Sequence, residues 1–172
     1  MSTWEDNVRK VIPYTPGEQP NQPDMIKLNT NENPYPPAPG VERALRELET
    51  DTMRLYPDPT AGDLVHAIAE RYHLKGEQVF VGVGSDDVLA MSFLTFFNSD
   101  RPVLFPDITY SFYVVWADLL RIPYESPALD ETFHFWLEDY FREHGGLTFQ
   151  HPTATPGVVL PFVAAAHIFC HN

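Results

Sequence analysis

A short stretch near the middle of the chain, residues 78–87 (QVFVGVGSDD), constrains the fold most strongly. Its first half is β-branched or aromatic, which predicts a short buried strand over residues 79–83. Two glycines then permit a tight turn, and Ser85 and Asp86 are typical of a helix N-terminus. Such a turn is a common anion site, because free backbone N–H groups and the helix dipole meet there. On this stretch alone, an ordinary turn without a ligand is the alternative interpretation.

The composition bounds the class of protein. The chain has 172 residues, 44% of them hydrophobic, which is enough for one domain with its own core. Its formal net charge of −13 argues against nucleic acid and anionic membranes as partners, whereas a small phosphorylated ligand remains compatible. No apolar run approaches membrane-spanning length, and residues 1–10 show no secretory signal. The single cysteine, Cys170, fits a reducing compartment, so we expect a cytoplasmic protein.

Helix and strand patterns alternate after a proline-rich start. Residues 1–39 predict an extended arm whose apolar side chains pack on another surface, such as a second subunit. Helices are predicted over residues 41–48, 62–74, 86–97, 110–120 and 137–143. Further strands are predicted over residues 102–105, 122–124 and 147–149. The alternation predicts an α/β fold with a mainly parallel sheet and flanking helices.

Five stretches carry a family resemblance in their order and spacing. They are IPYTPGEQP (12–20), KLNTNENPYPPAP (27–39), RLYPDPTAGDL (54–64), VGVGSDDVL (81–89) and FPDITYSFYVVWA (105–117). As a set they resemble the pyridoxal 5'-phosphate (PLP) aminotransferases of fold type I, class I/II, and among them the histidinol-phosphate aminotransferases. The resemblance covers roughly residues 8–149. It implies an N-terminal arm over 1–39 and an incomplete large domain over 40–172, degenerate after about residue 150.

The resemblance implies a PLP site. Ser85 and Asp86 match residues whose backbone groups hold the cofactor phosphate, and Tyr110 matches the aromatic residue that stacks on the pyridine ring. Tyr56 matches a tyrosine that reaches across a dimer to that phosphate, and Arg54 is a further cofactor-side candidate. Without the resemblance, Tyr110 is interpreted as a core aromatic and Tyr56 as a turn aromatic.

The resemblance also implies a substrate side and a missing catalytic group. Asn31, Glu32 and Asn33 match the hinge of the arm beside the substrate, and are otherwise polar loop residues. The lysine that forms the Schiff base with PLP lies further along the chain in the family. The three lysines present here do not match it: Lys10, Lys27 and Lys75.

An intact relative would transfer an amino group between glutamate/2-oxoglutarate and imidazole acetol phosphate, in histidine biosynthesis. Because the lysine is absent, we expect a truncated chain that is inactive alone and holds PLP without a covalent bond. The alternative hypothesis is a non-catalytic remnant or binding module that pairs with a full-length aminotransferase subunit. Both hypotheses predict a homo-oligomer or pairing with a related subunit.

The last stretch, residues 150–172, departs from the family pattern. Thr153 stands where the family has an asparagine that donates to the pyridine 3-hydroxyl, and a threonine hydroxyl does not copy that amide geometry. His167, Cys170 and His171 have spacing that could suggest zinc on a helix, but no fourth ligand is evident. We therefore expect no metal site.

Overall fold

The computed structural model describes residues 3–13, 15, 17–18, 22, 24–30 and 32–150. The described chain divides into two compact units: a first unit within residues 15–81, and a second formed by residues 3–13 with 82–150. The first unit contains helices α1 (Pro39–Arg46) and α2 (Gly62–Tyr72), and the second contains helices α3 (Ser85–Phe96) and α4 (Phe112–Leu120). The second unit also holds the strands β1 (Val103–Leu104), β2 (Tyr124–Glu125) and β3 (Gly146–Leu147). Single 3-10 turns cover Trp4–Asn7, Thr50–Arg54, Gly76–Gln78 and Leu137–Tyr140.

Local chemistry sets the helix ends in the first unit. α1 begins at Pro39, whose fixed φ suits the first helical position. The turn before α2 is closed by Asp58, whose carboxylate accepts a 2.6 Å hydrogen bond from the N–H of Gly62. α2 ends at Tyr72, and the capping residue His73 adopts the left-handed conformation with a φ of 56°. Caps and turns therefore bound these helices.

The second unit is built on a parallel sheet, three-stranded over the described residues, in the order β2–β1–β3. Val103 of β1 pairs with Tyr124 of β2 and with Gly146 of β3. Hydrogen bonding continues past the strand ends, where the N–H of Asp107 donates to the carbonyl of Pro127 at 3.1 Å. Parallel neighbours need a crossover, and α4 supplies the one between β1 and β2. The sheet confirms the predicted α/β fold.

Successive side chains of the β1 segment enter two different cores. Val103 and Phe105 are fully buried in a cluster that includes Phe93 of α3. Leu104, between them, packs in a second cluster against Tyr140, which is only 1% exposed. This alternation follows from the two-residue period of a strand. Both faces of the sheet are therefore covered, as α/β layers require.

The strand predicted over residues 79–83 is wrong. Val79 has extended backbone angles (φ −120°, ψ 123°), but no strand pairs with this segment in the described part of the chain. The side chains of Phe80 and Val83 are 65% and 95% exposed, and Val79 and Val81 are only half-buried, so the run is not the buried strand that its residue types predicted. β-branched and aromatic residues favour extended backbone, but only a neighbouring strand makes that backbone part of a sheet.

The helix predicted over residues 137–143 is reduced to a 3-10 turn that ends at Tyr140. After that turn, the chain leaves the helical path and its charged side chains pair with partners elsewhere. Arg142 lies 2.8 Å from the carboxylate of Glu125, and Glu143 lies 2.9 Å from the guanidinium of Arg101. Burial of Tyr140 and these long-range ion pairs replace the predicted helical turns.

The other four predicted helices are confirmed, with ends shifted by at most two residues. The three later strands are also found, each overlapping its predicted range. The described residues of the arm carry one 3-10 turn and no strand or α-helix before α1 begins at Pro39. Proline spacing was thus a reliable guide to irregular chain.

Candidate functional site

Two glycines and one carboxylate shape the turn that leads into α3. Gly84 precedes the helix with a φ of 94° and a ψ of 171°, a region that strongly favours glycine. Gly82 packs closely on the helix start, because a Cβ there would lie 2.6 Å from Asp87 Oδ2. The same oxygen accepts a 3.0 Å hydrogen bond from the N–H of Val83. Glycine at both positions therefore brings the chain tightly onto the first turn of α3.

Within residues 82–150, the first backbone N–H groups of α3 have no acceptor. Gly84 supplies no side-chain cap, and the first helical hydrogen bond runs from the N–H of Val88 to the carbonyl of Gly84 at 3.3 Å. Over residues 82–150, no hydrogen bond uses the N–H of Ser85, Asp86 or Asp87. Among the residues that the structure describes, no side chain lies within 4 Å of the Cβ position at Gly84. This arrangement can bind an anion such as a phosphate group.

Tyr110 lies in the loop after β1, at the sheet edge where parallel α/β folds bind ligands. Its hydroxyl donates a 2.6 Å hydrogen bond to Asp86 Oδ1, 24 positions earlier in the chain. Its ring stacks on Phe112, with centroids 5.6 Å apart, and meets Tyr113 edge-on at 5.8 Å. The structure therefore brings together Tyr110 and the Ser85–Asp86 turn, residues that the sequence analysis assigned to one site.

Two further carboxylates shape this site, and the sequence analysis assigned neither of them to it. Asp87 closes the turn as described above. Asp107 Oδ1 accepts hydrogen bonds from the N–H groups of Ile108, at 2.9 Å, and Leu129, at 3.0 Å. It thereby ties the loop that carries Tyr110 to the loop after β2. The available signal was an aspartate directly after a buried strand, which is typical of an Asx turn.

Tyr56 lies in the first unit and is 98% exposed. It follows the 3-10 turn in which Arg54 Nε lies 3.2 Å from Asp51 Oδ1. It precedes the turn in which Asp58 accepts hydrogen bonds from Thr60 and from the start of α2. The backbone N–H of Thr60 is the main reason that the pKa of Asp58 lies below its usual range. Structured turns thus flank a fully accessible Tyr56 hydroxyl.

Two of the three predicted substrate-side residues lie in the described part of the chain. Asn31 lies outside the described residues. Glu32 forms an ion pair with Lys27, and this hydrogen bond and charge lower the pKa of Glu32. Asn33 Oδ1 accepts a 3.0 Å hydrogen bond from the N–H of Tyr35, which forms a local Asx turn. Glu32 and Asn33 are exposed and held by local partners.

The residues of the chain end that the sequence analysis considered for metal and cofactor contacts are not among the described residues. Thr153, His167, Cys170 and His171 lie outside the described residues. Within the ranges that the structure describes, no group of three or more His, Cys, Asp or Glu side chains could hold a metal ion. Across the same ranges, no helix combines the length and the apolar character that a membrane crossing requires.

The sequence matches the family profile "Aminotransferase class I and II" over residues 23–160. That range is most of the chain and contains both the α3 turn and the loop of Tyr110. The chain therefore belongs to the class I and II aminotransferases. The resemblance predicted from the five sequence stretches is confirmed.

Individual relatives extend the comparison beyond the family level. A histidinol-phosphate aminotransferase of Chromohalobacter salexigens is 53% identical over 154 residues, covering 90% of this chain and 44% of the relative. One from Lactococcus lactis subsp. cremoris is 45% identical over 170 residues, which cover 99% of this chain and 48% of the relative. Histidinol-phosphate aminotransferase 1 of Pseudomonas aeruginosa is 48% identical over 161 residues, which cover 94% of this chain and 46% of the relative. The chain spans a little under half the length of these relatives.

Proposed function

We propose that this chain forms the cofactor-binding N-terminal part of a PLP-dependent histidinol-phosphate aminotransferase. The observation that carries the proposal is the 45–53% identity to proteins of that name over 90–99% of the chain. The reaction is the transfer of an amino group between glutamate/2-oxoglutarate and imidazole acetol phosphate, a step of histidine biosynthesis. The proposed compartment is the cytoplasm, which the single cysteine supports.

The residues at the start of α3 fit the phosphate of PLP. The free N–H groups of Ser85 and Asp86 would hold the phosphate, and Gly84 leaves space for its close approach. The ring of Tyr110, fixed by its own contacts, would pack against the pyridine ring. When bound, PLP supplies the electron sink for amino transfer, and the protein supplies binding and orientation.

A second subunit would complete the phosphate site through Tyr56. Its 98% exposure leaves the phenol free to reach another chain. The arm supports the same arrangement, because several of its large apolar side chains are exposed. These are Trp4, Ile12, Ile26 and Leu28. Exposed apolar side chains grouped in one segment are typical of protein contacts. We therefore propose a homodimer, or pairing with a related subunit.

The arm also carries the proposed substrate side. Asn31, Glu32 and Asn33 would lie beside the substrate. The Asx turn of Asn33 and the ion pair of Glu32 with Lys27 give this segment a defined local shape. The ordered turn reduces the conformational entropy that substrate binding must overcome.

The lysines of the chain are poor candidates for covalent attachment of the cofactor. Lys27 is paired with Glu32, and Lys75 Nζ lies 3.7 Å from the carboxylate of Glu77. Lys10 lies in the arm, away from the family position of the catalytic lysine. Non-covalent binding of PLP is therefore proposed, without activity of this chain alone. The alternative of a non-catalytic module is not favoured, because the matching relatives are named as aminotransferases.

A mixing experiment tests the proposal. The purified chain is titrated with PLP, followed by visible absorbance, borohydride reduction and mass spectrometry of any modified lysine. Transamination of histidinol phosphate with 2-oxoglutarate is then assayed for the chain alone. A parallel assay adds the separately produced C-terminal half of the L. lactis relative. The proposal predicts saturable binding, no reduced lysine adduct, and activity only in the mixture. Absence of both binding and complementation would contradict it.

A further inference from the structure

We infer that Asp86 is a positioning residue for the cofactor ring, acting through its hydrogen bond with Tyr110. The carboxylate of Asp86 fixes the ring of Tyr110, and the hydroxyl of Tyr110 holds the charge of Asp86 away from the bound phosphate. The inference rests on the proposed function, because it assigns Tyr110 to the pyridine ring and the α3 turn to the phosphate. It adds a role for the Asp86 side chain, beyond that of its backbone N–H.

The first half of the inference concerns the ring. Tyr110 meets Phe112 and Tyr113 through its aromatic ring, and Asp86 through the hydroxyl at its far end. A tyrosine ring is oriented by two rotatable side-chain bonds, so contacts at the ring and at the hydroxyl leave it little freedom. The hydrogen bond is 2.6 Å long and partly buried, which is the short range of a charge-assisted contact. The ring is therefore oriented before any ligand arrives.

The second half concerns charge. Asp86 is the second residue of α3, where a carboxylate is attracted to the same free N–H groups that would bind a phosphate. The Tyr110 hydroxyl gives this carboxylate another partner. Asp87, the other acid of the first turn, is likewise engaged, by the N–H of Val83. If the hydroxyl were removed, the Asp86 carboxylate would be released to compete with the phosphate and to repel it.

Two probes separate the two halves: pyridoxamine 5′-phosphate, which has ring and phosphate but needs no lysine, and inorganic phosphate. Calorimetric titration compares the full chain with D86A, Y110F and the double variant. Y110F should weaken both probes, pyridoxamine phosphate by about tenfold, the range of one charged hydrogen bond. D86A should weaken pyridoxamine phosphate similarly but leave inorganic phosphate unchanged or tighter. The double variant should recover phosphate binding and bind pyridoxamine phosphate no worse than Y110F.

Control variants keep this test decisive. D86N retains an acceptor for the Tyr110 hydroxyl without the charge, so it should keep most of the affinity for pyridoxamine phosphate. D118N and Y124F make the same chemical changes elsewhere in the second unit and should bind both probes like the wild type. Circular dichroism confirms that each variant is folded, and Y110F, which removes the same hydrogen bond from the other side, decides the test if D86A does not fold.

Three results would overturn the inference. One is a Y110F chain that binds both probes like the wild type. Another is a D86A chain that loses as much affinity for inorganic phosphate as for pyridoxamine phosphate, which a merely structural role predicts. In both cases the proposed function would stand, because the wild type binds pyridoxamine phosphate. A wild-type chain that binds neither probe overturns the proposed function, and the inference with it.

Discussion

Asp87 and Val83 close the turn before α3, with the carboxylate accepting a 3.0 Å hydrogen bond from the backbone N–H. This contact holds the chain on both sides of Gly84, whose φ of 94° sets the direction of entry into the helix. The free N–H groups of the first turn are therefore placed by the fold itself. A preformed site lowers the entropic cost of binding a ligand.

The backbone at Gly84 gives the first prediction. Gly84→Ala should lower the free energy of unfolding by about 1–3 kcal/mol, because a residue with a Cβ is strained at these angles. Gly40 in α1 is the matched control, since no described side chain lies within 4 Å of the Cβ position of either glycine. Gly40→Ala should instead stabilise by about 0.5–1 kcal/mol. Urea denaturation compares them, and equal effects would contradict the strain argument.

Asp58 gives a prediction that depends on pH. Its pKa is lowered, chiefly by the N–H of Thr60, so its carboxylate stabilises the fold above its unfolded pKa. This contribution is lost as the pH falls through the folded pKa. Asp58→Ala should therefore destabilise the first unit at about pH 7, and the difference from wild type should be smaller at an acidic pH below the unfolded pKa of about 3.9. Urea unfolding at both pH values measures this. Asp100→Ala, at an exposed aspartate of the second unit, should show a smaller effect.

His144 gives a prediction of acid sensitivity. Both ring nitrogens are shielded from solvent and have no hydrogen-bond partner among the described residues. Burial, and then the charge of Arg142, lower the pKa of His144, so the folded chain favours the neutral ring. Stability should therefore fall as the pH drops below the unfolded pKa of about 6.5. His144→Gln should reduce that fall in urea titrations, whereas His66→Gln at an exposed site of α2 should not. Identical pH profiles for His144→Gln and wild type would count against this account.

Gly146 gives a prediction of close packing. A Cβ at this position of β3 would collide with the ring of Phe97. That ring meets Phe93 edge-on at 5.1 Å, so it cannot withdraw freely. Gly146→Ala should cost about 1–3 kcal/mol of stability, the usual range for overpacking. Thermal unfolding of the single variant and of the double variant with Phe97→Leu measures the cost. Leucine at position 97 should recover part of the lost stability. A Gly146→Ala variant as stable as the wild type would contradict the prediction, because the Phe97 ring would then make room for the added methyl group.

Much of the fold could be predicted because its signals are local. α2 and α4 carry apolar faces of helical spacing, and the glycine turn before Ser85 marks the start of α3. The wrong strand over residues 79–83 had the right residue types, but its partner is not encoded in the segment itself. The close packing of Gly146, at the start of β3, on the ring of Phe97 is likewise not encoded in the segment itself.

The candidate site also combines features that local sequence signals predict with features that depend on the packing of distant segments. Ser85 and Asp86 are predicted as site residues from a local turn, and Tyr110 from a family motif. The hydrogen bond between Tyr110 and Asp86 joins positions 24 apart and depends on how α3 and the loop after β1 pack. No spacing rule predicts such a contact. The exposure of Tyr56 likewise emerges only from the folded chain.

The most direct test of the central claim is to locate ligand binding by NMR. The ¹⁵N-labelled chain is titrated with pyridoxamine 5′-phosphate, and separately with pyridoxamine, which lacks the phosphate. The account predicts saturable shifts of the backbone amides of Ser85 and Asp86 with the phosphorylated ligand, and much weaker shifts with the other. Unchanged amides at the start of α3, or saturable shifts confined to another region, would contradict it.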